Sequence, residues 1–206
     1  MKGYINERIT PQQKMVGVNK KFGNVNIATQ QGTTRTLFDA ISLTGAPTTF
    51  RFFENASTKP FPLTNLTSDG NRLQVGDTFV IEKVYFALIQ YDAVNNTIVA
   101  LNTVGNTPPN DFSVPLLTGE LDIVIGNSQV VKSLPTCWQN SFLNMTAVNT
   151  ADTAFGFATD IVIPPLLEYV LQFRTTSYDI ALAAPYTHIM CVLQGSAGIL
   201  APKSTF

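Results

Sequence analysis

Charged side chains are scarce in this chain of 206 residues, of which only 13% are Asp, Glu, Lys or Arg. Soluble domains usually contain about twice that share. Asn, Thr, Gln and Ser supply much of the polar content instead, and a neutral polar surface is cheap to desolvate against a neighbouring protein. The composition therefore favours a protein that assembles with other chains, although an ordinary extracellular β domain has a similar composition.

Histidine and cysteine are also scarce, which excludes several kinds of active site. His188 is the sole histidine, so a Ser-His-Asp or Cys-His arrangement has to use it, and no Gly-x-Ser-x-Gly motif accompanies it. A zinc site needs three or four ligands, whereas the only cysteines, Cys137 and Cys191, lie far apart. These two are either small buried side chains or a disulfide. We therefore predict a non-catalytic protein without cofactor or metal.

Carboxylates leave two alternatives open. A pair that cleaves glycosidic bonds needs only to be close in space, and the candidates are Glu54, Glu82, Glu120 and Glu168. Aspartates in predicted loops are typical of turns, but a calcium site made of oxygen ligands would use the same residues. These loop residues are Asp69, Asn71, Asp77, Asp92 and Asp111.

Long hydrophobic runs are missing as well. No window reaches the roughly 20 apolar residues of a membrane-spanning helix, and the best candidate, Phe79–Ile89, is interrupted by Glu82 and Lys83. No apolar run follows the basic start, which argues against a secretory signal. We therefore expect a protein that is not integral to a bilayer.

The first 33 residues are rich in Gln, Asn, Lys and Gly and show no sustained hydrophobic period, which predicts an irregular, extended arm. They carry a net charge of +4, whereas the remainder carries −5. Arg8, Lys14, Lys20 and Lys21 are the candidates for contacts with nucleic-acid phosphates or an anionic lipid surface. Solvated arm residues would give the same pattern.

From residue 34 onward, short apolar runs alternate with clusters of turn-forming residues, which is typical of many strands joined by turns. Several runs have period two, such as Tyr169, Leu171 and Phe173 on one face. The unbroken apolar run Val84–Ile89 indicates a strand that is covered on both faces or that meets another subunit. The nine predicted strands are Thr34–Leu43, Thr48–Asn55, Thr78–Tyr91, Thr97–Asn102, Glu120–Ile125, Ser128–Leu134, Phe155–Ile163, Leu167–Thr175 and Thr187–Gln194.

These strands predict an all-β fold, with an arm over residues 1–33 and one antiparallel two-sheet sandwich over residues 34–206. A single jelly roll is the first choice within this class, and an immunoglobulin-like sandwich is the second. We also expect a short helix over Ser141–Ala154 and an external loop over Thr103–Leu117. No internal repeat indicates a double barrel or a propeller.

These features resemble the jelly-roll coat proteins of icosahedral viruses, particularly those of tailless bacteriophages. The resemblance is carried by the polar arm up to Gly32, the turn Leu73–Asp77 before a long strand, the entry Pro164–Tyr169 into an alternating strand, and the tail Ala201–Phe206. It covers most of the chain as a pattern and includes no diagnostic motif. The chain is long enough for one jelly roll, unlike the double-barrel members.

The resemblance implies a virion structural protein, either a capsid subunit or a capsid-associated one, made in the host cytoplasm. Its partners would be copies of itself and other virion proteins, and its arm would contact nucleic acid, an internal lipid membrane or a neighbouring subunit. No small-molecule substrate is expected. A carbohydrate-binding or cupin-like β domain is the alternative, and Trp138, the only tryptophan, is the residue on which a lectin-like site would depend.

Overall fold

The strands of the structure agree closely with those that the sequence predicts. The computed structural model describes residues 11–22, 30–66, 70–103, 118–136 and 155–200. The described strands are β1 Gln30–Ser42, β2 Thr49–Phe52, β3 Thr78–Asp92, β4 Thr97–Thr103, β5 Glu120–Ile125, β6 Ser128–Pro135, β7 Phe155–Ile163, β8 Tyr169–Arg174 and β9 His188–Leu200. Each corresponds to a predicted strand, and the all-β prediction is confirmed.

The strands form two antiparallel sheets that pack as a sandwich. One sheet has the order β1-β9-β3-β4, and β7 pairs with β3 as well. β4 pairs with residues 87–92 of β3 and β7 with residues 79–84, so the two strands lie end to end along the same edge of β3. The second sheet has the order β2-β8-β5-β6.

The pairing of the strands is nested along the chain. β1 pairs with β9, β2 with β8, β3 with β7, and β5 with β6. Among the described strands, β4 alone falls outside this series, because it forms a local hairpin with β3. A chain that is folded back on itself as one long hairpin and then rolled up gives such an order, since each early strand meets its counterpart from the late half.

The core lies between the sheets and contains a group of aromatic rings in contact with one another. Phe173 of β8 lies 6.1 Å from Phe50 of β2 and 5.0 Å from Phe86 of β3, measured between ring centroids. Phe52 lies 5.7 Å from Phe86. Since Phe86 belongs to the other sheet, these contacts join the two sheets, and all four rings are at most 2% exposed. The period-two pattern of β8 therefore marks the face that the core buries.

The apolar run of β3 is covered on both faces by the chain itself. Val84, Phe86 and Leu88 belong to the main core, while Ala87 and Ile89, on the opposite face, belong to a second apolar cluster. That cluster contains Leu63, which lies in the connection between β2 and β3. The first of the two sequence-based alternatives for this run is therefore the one observed.

Strand β9 continues past its predicted end because Gly195 permits a close approach. β3 has a register shift between Ile81 and Lys83 opposite this glycine. A Cβ atom on Gly195 would lie 1.8 Å from the carbonyl oxygen of Val80, which no side chain can tolerate. The glycine-containing segment after Gln194 is consequently part of the strand, although its composition suggests a turn.

The N-terminal arm differs from its prediction, because residues Pro11–Phe22 form helix α1. Pro11 suits the first position of a helix, where its missing N–H group has no intrahelical partner to lose. The helix contacts β3, β7 and β9, and Met15 is 5% exposed. The prediction of an irregular arm is therefore wrong for this segment, since packing on the sheet stabilises a helix whose own sequence is weakly amphipathic.

The position of α1 explains the burial of one outward-facing residue. Val80 alternates along β3 with Phe79 and Ile81, both of which belong to the core, so its side chain points out of the sandwich. It is nevertheless 0% exposed. The helix thus covers this part of the outer face.

Several predicted features lie outside the described residues. These are the helix expected over Ser141–Ala154, residues 104–117 of the expected loop Thr103–Leu117, and the tail Ala201–Phe206.

Candidate functional site

The basic residues of the arm are separated by the boundaries of α1. Arg8 lies outside the described residues, whereas Lys14, Lys20 and Lys21 belong to the helix. The side chain of Lys21 is exposed. The helix lies on the outer face of the five-stranded sheet, so residues Pro11–Phe22 are packed on the domain.

Two of the four candidate carboxylates lie in one surface depression. Glu54 and Glu168 both line a hollow of about 330 Å³ on the outer side of the four-stranded sheet. A second hollow, of about 380 Å³, adjoins the first and shares Glu168 and Gly126 with it. We call the two together the polar groove. Glu82, which accepts a hydrogen bond from Ser196, and Glu120, which pairs with Arg174 at 3.0 Å, do not line it.

The polar groove combines paired charges with neutral groups. Arg51 and Glu54 form an ion pair at 2.8 Å, and Arg72 is paired with Glu168. Each carboxylate is therefore offset by a guanidinium group, so the lining as a whole is close to neutral. The remaining residues that line the groove are Asn71, Val124, Ile125, Gly126, Asn127, Ser128, Leu166, Leu167, Val170 and Gln172.

The loop aspartates that the structure describes have local partners. Asp92 accepts hydrogen bonds from the side chain of Asn95 and from the backbone N–H of Val94, and these bonds lower its pKa. Asp77 pairs with Arg35 at 3.2 Å. Within the described residues, no group of three or more His, Cys, Asp or Glu side chains is arranged to hold a metal ion. Asp69 and Asp111 lie outside those residues.

A buried ion pair joins β1 to the connection between β2 and β3. Asp39 of β1 is 0% exposed, and the ammonium group of Lys59 donates to its two carboxylate oxygens at 2.8 and 2.7 Å. Lys59 also donates to the carbonyl of Ala40, and the backbone N–H of Phe53 donates to Asp39. Burial raises the pKa of Asp39, while Lys59 and the hydrogen bonds act in the opposite direction. The pair fixes the turn after β2, where Phe53 has a φ of +71°.

Cys191 is the cross-strand neighbour of Asp39 and is unsuited to nucleophilic chemistry. Its thiol is free and 0% exposed. Burial, together with the nearby negative charge of Asp39, raises the pKa of the thiol well above its ordinary value. A reactive cysteine needs the opposite arrangement, with solvent access and a stabilised thiolate. Cys137 lies outside the described residues.

His188 is half-buried on the outer face of β9, as the alternation with Ile189 and Cys191 predicts. Its Nδ1 atom lies 2.9 Å from the hydroxyl of Thr187, and its ring stands edge-on to Tyr91 at 5.4 Å between centroids. Burial lowers the pKa of His188, and the positive charge of Lys59 lowers it further. These contacts describe a neutral imidazole that packs against an aromatic ring.

The most apolar exposed region surrounds the hairpin of β3 and β4. The hairpin patch consists of Phe61, Val94, Val99 and Leu101, which are 66%, 92%, 60% and 60% exposed. These four are half of the eight large apolar side chains that are exposed in the described part of the chain.

Hydrogen bonds hold the hairpin beside the loop that carries Phe61. Asn96, in the turn of the hairpin, donates to the carbonyl of Phe61 at 2.9 Å and accepts from the hydroxyl of Tyr91 at 2.7 Å. The ring of Phe61 also lies 6.4 Å from that of Phe38. Phe61 is therefore fixed in place, and its exposure is a property of an ordered surface.

Sequence reasoning missed both the buried ion pair and the hairpin patch. Asp39 gave one signal, because it is an acidic residue within the otherwise apolar run 37–41. The patch gave no signal apart from the uncharged run 93–110, because Phe61 is far from the rest of the patch in the chain. Trp138, on which a lectin-like site would depend, lies outside the described residues.

Comparison with known proteins gives no match. No protein-family model matches the chain, and no curated protein or solved structure gives a significant match. The resemblance to viral coat proteins therefore stays a prediction from the sequence. None of the helices in the described part of the chain has the length and hydropathy that a membrane-spanning helix requires.

Proposed function

We propose that this protein is a structural subunit of a virus particle, a capsid or capsid-associated protein that assembles with copies of itself and with other virion proteins. The observation that carries the proposal is the hairpin patch on a chain with very little charge. A free monomer rarely benefits from four large apolar side chains in one exposed region. Contact with another chain would remove them from water.

The strand pairing supports a single jelly roll as the fold of this subunit. With β4 set aside, the remaining eight strands pair in a nested order in two four-stranded sheets. Eight strands in two sheets are what a jelly roll contains, and viral capsid domains are among the proteins built in this way. β4 and α1 are then additions to one sheet. An immunoglobulin-like sandwich has seven to nine strands but is built from Greek-key connections without this nesting.

The size of the hairpin patch indicates weak individual contacts. Side chains of this size offer on the order of 100 Å² each at such exposures, so the patch presents about 400 Å² of apolar surface. A contact between two such patches is smaller than a standard stable interface of about 1,600 Å². Assembly through it would depend on many contacts acting together, as in a shell.

The arm would add contacts with other virion components. Arg8 and the three lysines of α1, Lys14, Lys20 and Lys21, would supply a weak electrostatic attraction to nucleic acid or to an internal lipid membrane. Because these charges are few, we expect this contribution to be small.

Sedimentation velocity and negative-stain electron microscopy of the purified protein test the proposal. We expect association that increases with protein concentration and that is largely insensitive to salt between about 50 and 500 mM, since apolar contacts are not screened (about 10 Å Debye length at 0.1 M). A monodisperse monomer at all concentrations, with or without the other proteins encoded beside it, would refute the proposal.

The polar groove favours a second function, binding of a glycan. Its neutral lining of guanidinium, carboxylate and amide groups could form many hydrogen bonds with hydroxyl groups, and Val124 and Val170 offer apolar contact. Such a mixture of apolar lining and a few convergent polar groups is typical of ligand sites. The groove lies on the four-stranded sheet, whereas the hairpin patch belongs to the five-stranded one, so both functions are sterically compatible.

A glycan array is the test of this second function. We expect saturable binding that the substitution Gln172→Ala abolishes, because this amide lies in the groove without taking part in its ion pairs. Gln31→Ala, at an exposed position on β1 of the other sheet that does not line the groove, is the matched control. Binding that is absent from the wild-type protein, or equal in both variants, would exclude the groove as a glycan site.

A further inference from the structure

We infer that the outer edge of β4 pairs with β4 of a second copy of this chain, in antiparallel register across a two-fold axis. The inference rests on the proposed assembly function and adds to it the partner and the contact. Among the described strands, β4 has β3 on one side and no partner on the other. Its free N–H and C=O groups are a template for another strand.

The other sheet edges of the described fold are partly covered, short, irregular or charged. The middle of β1 is covered by the loop before β3, in which the N–H of Ala40 donates to the carbonyl of Leu63 at 2.8 Å. β2 has four residues and includes Arg51. β6 contains Lys132 and has two register shifts, and β7 contains Asp160. Short length, coverage, irregular register and charge are the means by which proteins prevent pairing at an edge.

β4 has little of this protection. It contains no charged residue and no proline, and the sequence is uncharged throughout 93–110. Its single register shift lies between Gln90 and Tyr91 of β3, where Val99 of β4 is the extra residue of a bulge, and residues 100–103 pair regularly with β3. Val99 and Leu101 are exposed on this strand. The edge is therefore neutral and apolar over the whole strand, and regular over residues 100–103.

A second copy is the partner that suits such an edge. A two-fold axis brings each residue close to its own counterpart, so a charge would meet the same charge. β4 has none. An axis at Ala100 would set residues 97–103 of the two copies side by side, with Val99, the extra residue of the bulge, near Leu101 of the other copy. The two five-stranded sheets would then continue into each other, and both hairpin patches would lie at the junction.

Charge-insertion variants test the pairing and its register. Val99→Lys and Leu101→Glu change exposed side chains, so each variant should fold like the wild type. Circular dichroism and thermal unfolding are the measurements that check this. We expect each alone to weaken self-association at least about tenfold in sedimentation velocity, because a charge then lies in the apolar contact.

A one-to-one mixture of the two variants should restore association. The ammonium group introduced at position 99 of one copy would then face the carboxylate introduced at position 101 of the other. Val130→Lys, on β6 and 48% exposed, is the matched control and should associate like the wild type.

Hydrogen exchange of the wild-type protein tests the backbone contact. Protection of amides within 97–103 should increase with protein concentration, whereas contact through side chains alone would leave the edge amides exchanging as in the monomer.

Each outcome has a separate meaning. If the wild type associates and both variants do so equally well, the edge pairing is wrong while the assembly function stands. If both variants weaken association and their mixture does not restore it, the partner is not a second β4. If the wild type is a monomer under all conditions, the assembly function fails, and this inference fails with it.

Discussion

Replacing Lys59 with methionine removes the ammonium group that neutralises the buried carboxylate of Asp39. Methionine keeps most of the length and apolar volume of the lysine stem, so packing changes little. What changes is the electrostatic environment, because Asp39 is 0% exposed and loses two charge-assisted contacts of 2.7 and 2.8 Å. The backbone N–H of Phe53 remains as a donor.

Removing one partner from a buried ion pair typically costs about 3–5 kcal/mol, because an uncompensated charge is left in the interior. Lys59 is 21% exposed, so water can reach the vacated position in part. We therefore expect the lower end of that range, about 3 kcal/mol at neutral pH. For a chain of this size the corresponding decrease in Tm is roughly 6–12 °C.

The loss should depend on pH in a defined direction. Burial already raises the pKa of Asp39 above its ordinary value, and Lys59 opposes that rise. Without Lys59 the pKa rises further. When the pKa of a carboxyl group is higher in the folded than in the unfolded state, the group contributes most to folding stability below its unfolded pKa of 3.8. This contribution is lost as the pH rises through the pKa of the folded state. The deficit of the variant should therefore be small near pH 4 and large at pH 7.

Urea unfolding at both pH values, at a protein concentration where the chain is monomeric, measures the effect. Arg51→Met is the matched control, because it breaks the exposed Arg51–Glu54 pair, for which we expect less than about 1 kcal/mol. Adding Asp39→Asn to Lys59→Met removes the stranded charge and should recover much of the loss. If Lys59→Met costs no more than the control, or costs the same at both pH values, the buried charge does not have the role assigned to it.

Three further predictions follow from local geometry. Gly195→Ala should destabilise the domain by about 3 kcal/mol in thermal unfolding, because its Cβ would overlap a carbonyl oxygen. Gly32→Ala, with open space around it, should be neutral or slightly stabilising. Equal effects of the two substitutions would contradict the close approach at Gly195. The thiol of Cys191 should resist alkylation in the native protein and react in urea, as peptide mass spectrometry can determine; rapid native labelling would contradict its burial. Because the pKa of His188 is lowered, the unfolded state binds more protons, so stability should fall as the pH decreases below about 6.5. His188→Gln should reduce the dependence of folding stability on pH, and an unchanged pH profile in this variant would refute the role of His188.

The strands were predictable because both of their signals are local. In β5 and β8, apolar side chains alternate with polar ones, and turn-forming residues lie at both ends, so fold class and strand positions follow from short windows of sequence. The double coverage of β3 was left open, because a continuous apolar run does not say whether the second covering layer comes from the same chain. Here Leu63, from the preceding connection, lies in that layer.

Helix α1 and the end of β9 could not be predicted for the opposite reason. In α1, Gly17 and two β-branched valines weaken the intrinsic helix propensity, and its stability comes from contact with β3, β7 and β9. At the end of β9, Gly195 is required by a carbonyl oxygen on a distant strand. In both cases the deciding interaction is tertiary, and no short window of sequence contains it.

For the candidate sites, too, the sequence identifies the residues, and the fold decides which of them come together. The four glutamates were recognised as candidates from the sequence, but only the fold brings Glu54 and Glu168 into one groove and pairs each with an arginine. The uncharged run around β4 is visible in the sequence, yet its meaning depends on topology. The same run in the centre of a sheet would be ordinary core, and at an edge it is an exposed template.

The distribution of the few charges connects the fold with the proposed assembly. Many of the charged side chains form ion pairs within the chain. These pairs include Asp39 with Lys59, Arg72 with Glu168, Arg35 with Asp77, and Arg174 with both Glu120 and Asp122. A charge that is paired internally contributes little to the repulsion between copies. Copies of this chain can therefore approach closely at an uncharged edge such as β4, where the long-range repulsion that keeps many proteins monomeric is weak and short-range apolar contact decides whether they bind.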